Sequence, residues 1–184
     1  MWLVSDALPG ADARRLFEAL LETTDWRQET ATVMGRKIPI PRLTAWHGEA
    51  GYVYSGIRME PFAWTPPLLE LKAVAERFAG QPFNSVLLNL YRSGRDSVSW
   101  HADNEPGLGR DPVIASVSLG AVRRFQLRHR QTKERVDLDL PDGSCLIMAG
   151  ATQHHWLHQI PKTARPVGPR INLTFRRMQT TPGG

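Results

Sequence analysis

Residues 136–148, with the sequence VDLDLPDGSCLIM, contain two short apolar segments separated by a turn. In the first segment, apolar residues alternate with aspartates, and this period of two places every second side chain on the same face of a strand. Pro141-Asp142-Gly143 combines residues typical of tight turns, and residues 145–148 are as continuously apolar as a buried strand. The stretch therefore predicts two consecutive strands joined by a tight turn.

Similar short segments recur along the second half of the chain. They are residues 85–91, 98–103, 114–119, 124–128, 155–158 and 170–177. Several short strands with turn residues between them favour a sandwich or a jelly roll. Two helices are predicted before them, over residues 12–22 and over residues 66–79, the second between an N-cap at Thr65 and a stop at Gly80. The predicted fold class is α+β, with the N-terminal helices packed outside a jelly-roll core.

The composition predicts a single globular domain and is compatible with a polyanionic partner. The chain has 184 residues, 41% hydrophobic and 22% charged, which excludes a disordered or coiled-coil protein. Its net charge is +5 and its pI is about 9.9, which suggests nucleic acid as a partner, but a basic protein without a polyanionic ligand explains the charge equally well. The sequence has no apolar run long enough to span a bilayer, and its single cysteine, Cys145, suits a reducing compartment. We expect a monomer that does not bind membranes, in the cytoplasm or, in a eukaryote, the nucleus.

A metal site is suggested by His101 and Asp103. As strand residues two positions apart, they point to the same face. A histidine and a carboxylate on one face, joined by a later histidine, form the facial triad that holds non-haem Fe(II) and leaves coordination positions open. The later histidine is His154, His155 or His158. An isolated His-x-Asp is more often an ordinary surface pair, so the motif alone does not decide.

Two strand segments carry a polar face. In residues 170–177, polar residues from Arg170 to Arg176 alternate with apolar ones, and Asn89 and Tyr91 form a second polar pair. The two arginines are about 20 Å apart along an extended strand, so they hold both ends of a small dicarboxylate only if their side chains converge. Each face taken alone is equally explained as the solvated side of a half-buried strand.

Together these segments resemble the AlkB-type Fe(II)- and 2-oxoglutarate-dependent nucleic-acid dioxygenases. The resemblance extends from about Gly35 to Arg177 and depends on the ordered combination of motifs. The strongest stretches are Asn89-Leu90-Tyr91, Trp100-His101-Ala102-Asp103-Asn104-Glu105, Ala115-Ser116-Val117-Ser118-Leu119-Gly120, His155-Trp156-Leu157-His158 and Pro169-Arg170-Ile171-Asn172-Leu173-Thr174-Phe175-Arg176. The resemblance implies one double-stranded β-helix domain over residues 1–184. Its nucleotide-recognition lid would span about 26–64 and its catalytic core about 84–178.

The same resemblance implies that iron is bound by His101, Asp103 and His158. His158 is preferred to the two earlier histidines because the family's second iron histidine lies in a similar His-Trp-x-His segment just before a proline, here Pro161. The family's other cofactors are O₂ and the co-substrate 2-oxoglutarate.

The residues implied for 2-oxoglutarate lie on the two polar strand faces. Arg170, helped by Tyr91, would bind the distal carboxylate, and Arg176 and Asn89 would hold the other end, with Asn172 nearby. Guanidinium groups match carboxylates in geometry and charge, which gives the strand with two arginines a chemical purpose.

Three residues are implied to contact the substrate base. Tyr54 resembles the aromatic residue that stacks on the damaged base opposite His101, and Tyr52 on the same face would contact the base or its phosphate. Glu105 would bind the edge of the base. Asn104 departs from the aspartate that is frequent in the family, which weakens one acidic contact.

Three other residues are implied to contact the nucleic-acid backbone or the base stack. The Val33-Met34-Gly35 turn resembles the hairpin that duplex-preferring members insert into the stack, so Met34 would act as a wedge. Arg42 and Arg128 lie where the family contacts phosphates.

The implied activity is oxidative demethylation of 1-methyladenine and 3-methylcytosine in single- or double-stranded DNA. It would be coupled to conversion of 2-oxoglutarate to succinate and would release formaldehyde. The alternatives are a related oxygenase acting on RNA or protein, a non-catalytic nucleic-acid-binding module, and an unrelated basic jelly roll with a structural metal. Iron-dependent succinate release excludes the binding module, and zinc in a closed site with four ligands would favour the last alternative.

Overall fold

The computed structural model describes residues 1–33, 35–49, 52–54, 57–59 and 61–179. Its helices are α1 (Gly10–Thr23), α2 (Pro66–Ala79) and the short α3 (Thr152–His155). Its strands are β1 (Trp2–Val4), β2 (Thr30–Val33), β3 (Arg36–Pro39), β4 (Leu43–Gly48), β5 (Tyr52–Tyr54), β6 (Ile57–Met59), β7 (Ser85–Tyr91), β8 (Val98–His101), β9 (Ile114–Gly120), β10 (Arg123–His129), β11 (Arg135–Leu140), β12 (Ser144–Met148), β13 (Trp156–Ile160) and β14 (Arg170–Arg176).

The larger sheet has six strands in the order β1-β12-β9-β14-β7-β4, and each neighbouring pair is antiparallel. β14 lies in the middle of it, where Asn172 pairs with Asn89 of β7 on one side and with Ser118 of β9 on the other. The polar faces predicted for β7 and β14 are therefore adjacent in space. β1 and β4 lie outside residues 84–178, so the sheet extends beyond the expected core.

The smaller sheet has four antiparallel strands in the order β11-β10-β13-β8. Residues 136–148, whose pattern predicts two strands, form parts of β11 and β12, and these belong to different sheets. The turn between them, with Gly143 in the left-handed region at a φ of 72°, therefore carries the chain from one sheet to the other. Two further pairs, β2 with β3 and β5 with β6, form separate two-stranded sheets.

Both long helices pack on the outer side of the six-stranded sheet. α1 and α2 contact β9, and their buried faces, which include Leu16 and Leu71, belong to one apolar core with the sheet. Gly80 ends α2 in the left-handed conformation, as predicted, whereas the side chain of Thr65 makes no capping hydrogen bond. Among the described residues, no helix is long and apolar enough to cross a membrane.

The inner faces of the two sheets enclose a second apolar cluster and a polar cavity. The cluster combines residues such as Leu146 and Met148 of the larger sheet with Phe125 and Leu127 of the smaller one. The described chain is thus an α+β fold of several antiparallel sheets and few helices, and the residues predicted to bind iron and 2-oxoglutarate come together between its two largest sheets.

Candidate active site

His101, Asp103 and His158 meet at one end of the cavity between the two sheets. β8 and β13 are neighbours, and their register pairs His101 directly with His158. Asp103 follows β8, and its two carboxylate oxygens each lie 3.9 Å from one histidine Nε2. One ligand atom from each residue lies within 4.8 Å of the other two, so this group can hold a metal ion. Two imidazoles and one carboxylate are the donors typical of non-haem Fe(II).

Neighbouring groups orient the ring of His101 and the backbone at Asp103. Nδ1 of His101 lies 2.7 Å from the carbonyl oxygen of Ser99, so Nδ1 carries the proton and Nε2 keeps its lone pair toward Asp103. The backbone N–H of Asp103 donates to Oε1 of Gln153 at 2.9 Å. The first contact fixes the direction of the His101 ring, and the second fixes the backbone from which the Asp103 side chain projects.

The electrostatics keep Asp103 ionised and His158 neutral. Burial alone would raise the pKa of the Asp103 carboxyl, but the positive charge of Arg176, with smaller electrostatic contributions from His158 and His101, lowers that pKa below its ordinary value. Burial lowers the pKa of His158 to about 4, against the opposing influence of Asp103. A carboxylate and a neutral imidazole are the protonation states in which these groups bind metals.

His154 and His155 lie away from this cluster. They belong to α3, where a strand is predicted for residues 155–158, and both are exposed. Nε2 of His154 lies 2.9 Å from Oδ1 of Asp111, and the ring of His155 stacks on His129. Of the three later histidines, His158 is the one that the structure brings to Asp103.

The wall of the cavity opposite His158 is the polar inner face of the six-stranded sheet. Arg170, Asn172 and Arg176 of β14 and Asn89 and Tyr91 of β7 all line the cavity. The arginines therefore do converge on one space, despite their separation along the strand. Nη2 of Arg176 donates to Oδ1 of Asp103 at 2.7 Å, which joins this wall to the histidine cluster.

Arg170 is a buried cation with spare donors. Its Nη2 donates to Oγ of Ser118 at 2.8 Å, while Nε and Nη1 are buried and have no hydrogen-bond acceptor among the described residues. Burial lowers the pKa of Arg170 to about 10. Buried polar groups almost always have a partner, so this guanidinium fits an anionic ligand that the protein alone does not supply.

Arg42 differs from its predicted role at a phosphate backbone. It is buried, lines the same cavity, and donates from Nε to Oδ1 of Asn89 at 2.6 Å. Residue 42 comes just before β4. Because β4 pairs with the inner strand β7, Arg42 lies under the sheet and not at the surface. The structure therefore places Arg42 in the cavity and away from the surface, and its phosphate contact stays a prediction.

The other predicted nucleic-acid contacts lie away from this cavity or outside the described side chains. Arg128 lies on the outer face of β10, where its guanidinium carbon is 4.6 Å from the ring centroid of Trp100. Glu105 is half-buried just after Asp103. Met34 lies outside the described residues, and of Tyr52 and Tyr54 only the backbone pairing of β5 with β6 is described.

Three contributors to the site are not predicted from the sequence. Ser118 is the acceptor for Arg170, and Oγ of Ser116 accepts from Nδ2 of Asn172 at 2.7 Å. The signal that would find them is their spacing along β9, because the two serines of residues 114–119 are two positions apart and so share one face of the strand. Gln153 has no such signal, since its contact with Asp103 depends on the position of α3.

The donor set and the charges fit iron and 2-oxoglutarate. Three protein ligands leave coordination positions open, as catalytic and not structural metal sites do. Three buried arginines, Arg42, Arg170 and Arg176, line the cavity with one carboxylate, Asp103, so the cavity favours an additional anion.

Comparisons with known proteins agree with this geometry. A sequence model of the 2OG-Fe(II) oxygenase superfamily matches residues 1–176. Alpha-ketoglutarate-dependent dioxygenase alkB homolog 3 of Bos taurus is 46% identical in an alignment of 183 residues that covers 94% of this chain and 64% of that protein. The chain thus spans just under two thirds of that relative. DNA oxidative demethylase ALKBH2 of Mus musculus is 37% identical over 184 residues, covering 93% of this chain and 77% of that protein.

Solved structures show the same fold at low sequence identity. One described as the structure of OsALKBH1 has a TM-score of 0.69 at 16% identity and covers 96% of this chain and 97% of its own. A Pseudomonas putida prolyl-4-hydroxylase has a TM-score of 0.59 at 13% identity, covering 96% of this chain and 91% of its own. With the family match and the sequence relatives, the chain belongs to the 2OG-Fe(II) oxygenase superfamily and, within it, to the AlkB homologues.

Proposed function

We propose that this protein is an Fe(II)- and 2-oxoglutarate-dependent demethylase of N-alkylated nucleic-acid bases, with 1-methyladenine and 3-methylcytosine in DNA as substrates. The observation that carries the proposal is the cluster of His101, Asp103 and His158 facing Arg170, whose Nε and Nη1 have no acceptor among the described residues. The names of the relatives support the substrate, because the ALKBH2 proteins are called DNA oxidative demethylases. The net charge of +5 is consistent with a nucleic-acid partner.

In this proposal His101, Asp103 and His158 hold the iron. When bound, iron and 2-oxoglutarate supply, with O₂, the oxidising power that converts an N-methyl group to formaldehyde while 2-oxoglutarate leaves as succinate and CO₂. The protein contributes position and charge. Arg176 keeps Asp103 ionised, and the contact of His101 with Ser99 keeps its Nε2 available as a donor.

2-Oxoglutarate would lie along the polar wall of the larger sheet. Arg170 would bind its distal carboxylate with Nε and Nη1, helped by Tyr91, and Arg176 and Asn89 would hold the end nearer the iron. Asn172 lies between these groups on β14 and pairs with Asn89 in the register. Because the wall is buried, each of these charge-assisted bonds acts with little screening by water.

We propose further that the two large sheets form the double-stranded β-helix of the family, in one domain over residues 1–184. The lid would comprise the parts of residues 26–64 that lie outside β4. Tyr54 would stack on the flipped base, Tyr52 and Glu105 would contact it, and Met34 would fill the gap in a duplex. Extrusion costs a few kcal/mol, and least for a lesion whose methyl group already prevents base pairing.

The direct test is turnover of a defined lesion. The protein is incubated with Fe(II), 2-oxoglutarate and an oligonucleotide carrying one 1-methyladenine or 3-methylcytosine, as single-stranded DNA, duplex DNA and RNA. We expect equal amounts of succinate and formaldehyde, loss of both in His158→Ala, and retention in the matched control His154→Ala. Absence of iron-dependent succinate with every substrate would overturn the proposal, and activity on RNA alone would replace DNA as the substrate.

A further inference from the structure

Arg123, at the start of β10, is a buried arginine that binds backbone carbonyls from two separate loops. It is 2% exposed. Its Nη1 donates to the carbonyl oxygen of Ser93 at 3.1 Å, and its Nη2 donates to those of Asp96 at 2.9 Å and Pro161 at 2.8 Å. A single guanidinium therefore joins the β7–β8 loop to the segment that follows β13.

The two loops also contact each other directly. The N–H of Thr163 donates to the carbonyl oxygen of Gly94 at 2.9 Å. A Cβ at Gly94 would overlap the carbonyl oxygen of Thr163, so only glycine allows this approach without a backbone shift. The first loop follows Tyr91, and the second leads to Arg170, so the joined loops hold the ends of the two strands that carry these residues.

Tyr91 connects Arg123 to the cavity. The guanidinium carbon of Arg123 is 5.5 Å from the centre of the Tyr91 ring, and that of Arg170 is 5.4 Å from the same centre. Both distances fall within the range of cation–π attraction. Arg170 and Tyr91 line the cavity, whereas Arg123 is not among the described residues that do so. Arg123 therefore lies behind Tyr91 as seen from the cavity.

The two arginines bring more positive charge to this end of the cavity than the described residues neutralise. Neither Arg123 nor Arg170 forms a salt bridge with a carboxylate in the described part of the chain. Asp96, which is near Arg123, already binds Arg92 through both oxygens, at 2.7 and 2.9 Å. An anion bound by Arg170 would relieve the repulsion between the two guanidinium groups.

We infer that Arg123 is a positioning residue for the distal carboxylate of 2-oxoglutarate, acting through the Tyr91 ring and through the loops that hold Tyr91 and Arg170. This inference rests on the proposed function. The inference applies to Arg123 and not to its neighbour Arg124. Arg124 is exposed on the opposite face of β10 and pairs with Asp139 at 2.8 Å.

Binding of two related ligands tests the inference without turnover. The full chain is loaded with Mn(II) in place of iron, and calorimetry measures the affinity for 2-oxoglutarate and for 2-oxopentanoate, which has a methyl group where 2-oxoglutarate has its distal carboxylate. In Arg123→Met we expect affinity for 2-oxoglutarate to fall about tenfold, because a buried positive charge close to the distal carboxylate is lost, and affinity for 2-oxopentanoate to change less than about twofold. The affinity of Arg123→Lys for 2-oxoglutarate should lie between those of Arg123→Met and the original protein, because a lysine ammonium cannot reach three carbonyls at once.

Arg124→Met is the matched control and should bind both ligands like the original protein. Equal losses for the two ligands in Arg123→Met, or no loss for either, would overturn the inference. Absence of 2-oxoglutarate binding by the unaltered protein would instead overturn the proposed function, so the two failures are distinguishable.

A measurement on the unaltered protein decides the question if both Arg123 variants fail to fold. Hydrogen exchange is followed with and without 2-oxoglutarate in the Mn(II)-loaded chain. Binding should slow exchange at the amides of residues 92–97 and 162–165 more than in the β10–β11 turn, residues 130–134. Equal protection of these segments would overturn the inference, because the ligand would then be independent of the joined loops.

Discussion

Arg176 and Asp103 form a buried ion pair that connects the two sheets, with Nη2 of the arginine 2.7 Å from Oδ1 of the carboxylate. Both side chains are at most 5% exposed. The pair brings together the strand that carries the cavity arginines and the residue that completes the histidine cluster. Its partners come from distant parts of the sequence, so the ion pair depends on the correct packing of both sheets.

Removal of Arg176 should destabilise the metal-free protein strongly. In Arg176→Met, Asp103 would remain as a buried charge without its main cation, and such a loss typically costs about 3–5 kcal/mol in the free energy of unfolding. Urea denaturation at pH 7 measures the change. The double variant Arg176→Met, Asp103→Asn should recover part of the loss, because the carboxylate is then absent. A loss below about 1 kcal/mol in the single variant would contradict this view of the pair.

Acidification should destabilise the metal-free protein through His158. Its pKa is lowered by burial from 6.5 to about 4, so between these pH values the unfolded chain binds a proton that the folded chain does not. The stabilising effect is complete above pH 6.5 and is lost as the pH falls to about 4. The free energy of unfolding then falls by about 3 kcal/mol in total. The pKa of the Asp103 carboxyl is lowered from its ordinary value of 3.8, so protonation of Asp103 reduces the stability of the fold only at lower pH.

Denaturation curves between pH 7 and pH 4 measure this contribution. His158→Asn should show a pH dependence shallower than that of the original protein by about 3 kcal/mol over the window. The exposed His155, changed to Asn, is the matched control and should leave the pH dependence unchanged. Parallel curves for His158→Asn and the original protein would mean that His158 does not stay neutral through burial.

Met34 and Tyr54 should affect different steps if the lid acts as proposed. Met34→Ala should lower demethylation of 1-methyladenine in a duplex far more than in a single strand, because only a duplex must be held open. Tyr54→Ala should lower activity on both substrates, through loss of about 1–3 kcal/mol of base stacking. The measurement compares matched oligonucleotides at one salt concentration. Equal losses on both substrates for Met34→Ala would exclude the wedge, and full activity of Tyr54→Ala would exclude the stacking.

The sequence predicts best those features that depend on local alternation. β7 has the predicted bounds, and β14 ends one residue before the predicted end, because each has a regular pattern of polar and apolar residues. α3 replaces the start of a predicted strand because residues 152–155 have no alternation to distinguish a helical turn from a strand. β1 is not predicted either, since three residues are too few to show a period.

Features that depend on pairing between distant segments escape prediction from one sequence. The burial of Arg42 follows from the pairing of β4 with β7, and no residue near position 42 indicates it. The same holds for Arg123, which belongs to an arginine-rich segment but is buried, while its neighbour Arg124 is exposed. Composition places both arginines in one basic patch, and only the alternation of β10 between the two faces of its sheet separates them.

The buried position of Arg42 in the cavity leads to a prediction about the salt dependence of nucleic-acid binding. Each phosphate contact made by an arginine contributes about 0.7 to 0.9 to the slope of log affinity against log salt concentration, because binding releases counterions. Arg42 donates to Asn89 inside the cavity, so it is not available to a phosphate at the surface. Arg42→Met should therefore leave the slope unchanged, although it should weaken 2-oxoglutarate-dependent turnover by removing the partner of Asn89.

Arg128 provides the comparison, because it lies on the outer face of β10 and is still predicted to contact a phosphate. Arg128→Met should reduce the slope by about 0.7 for single strands and about 0.9 for a duplex. Fluorescence anisotropy of a labelled oligonucleotide, measured between low and moderate salt for both variants and the original protein, gives the three slopes. A reduced slope for Arg42→Met would show that Arg42 contacts a phosphate of the nucleic acid. An unchanged slope for Arg128→Met would show that Arg128 does not contact a phosphate. Its contact with Trp100 would then be structural.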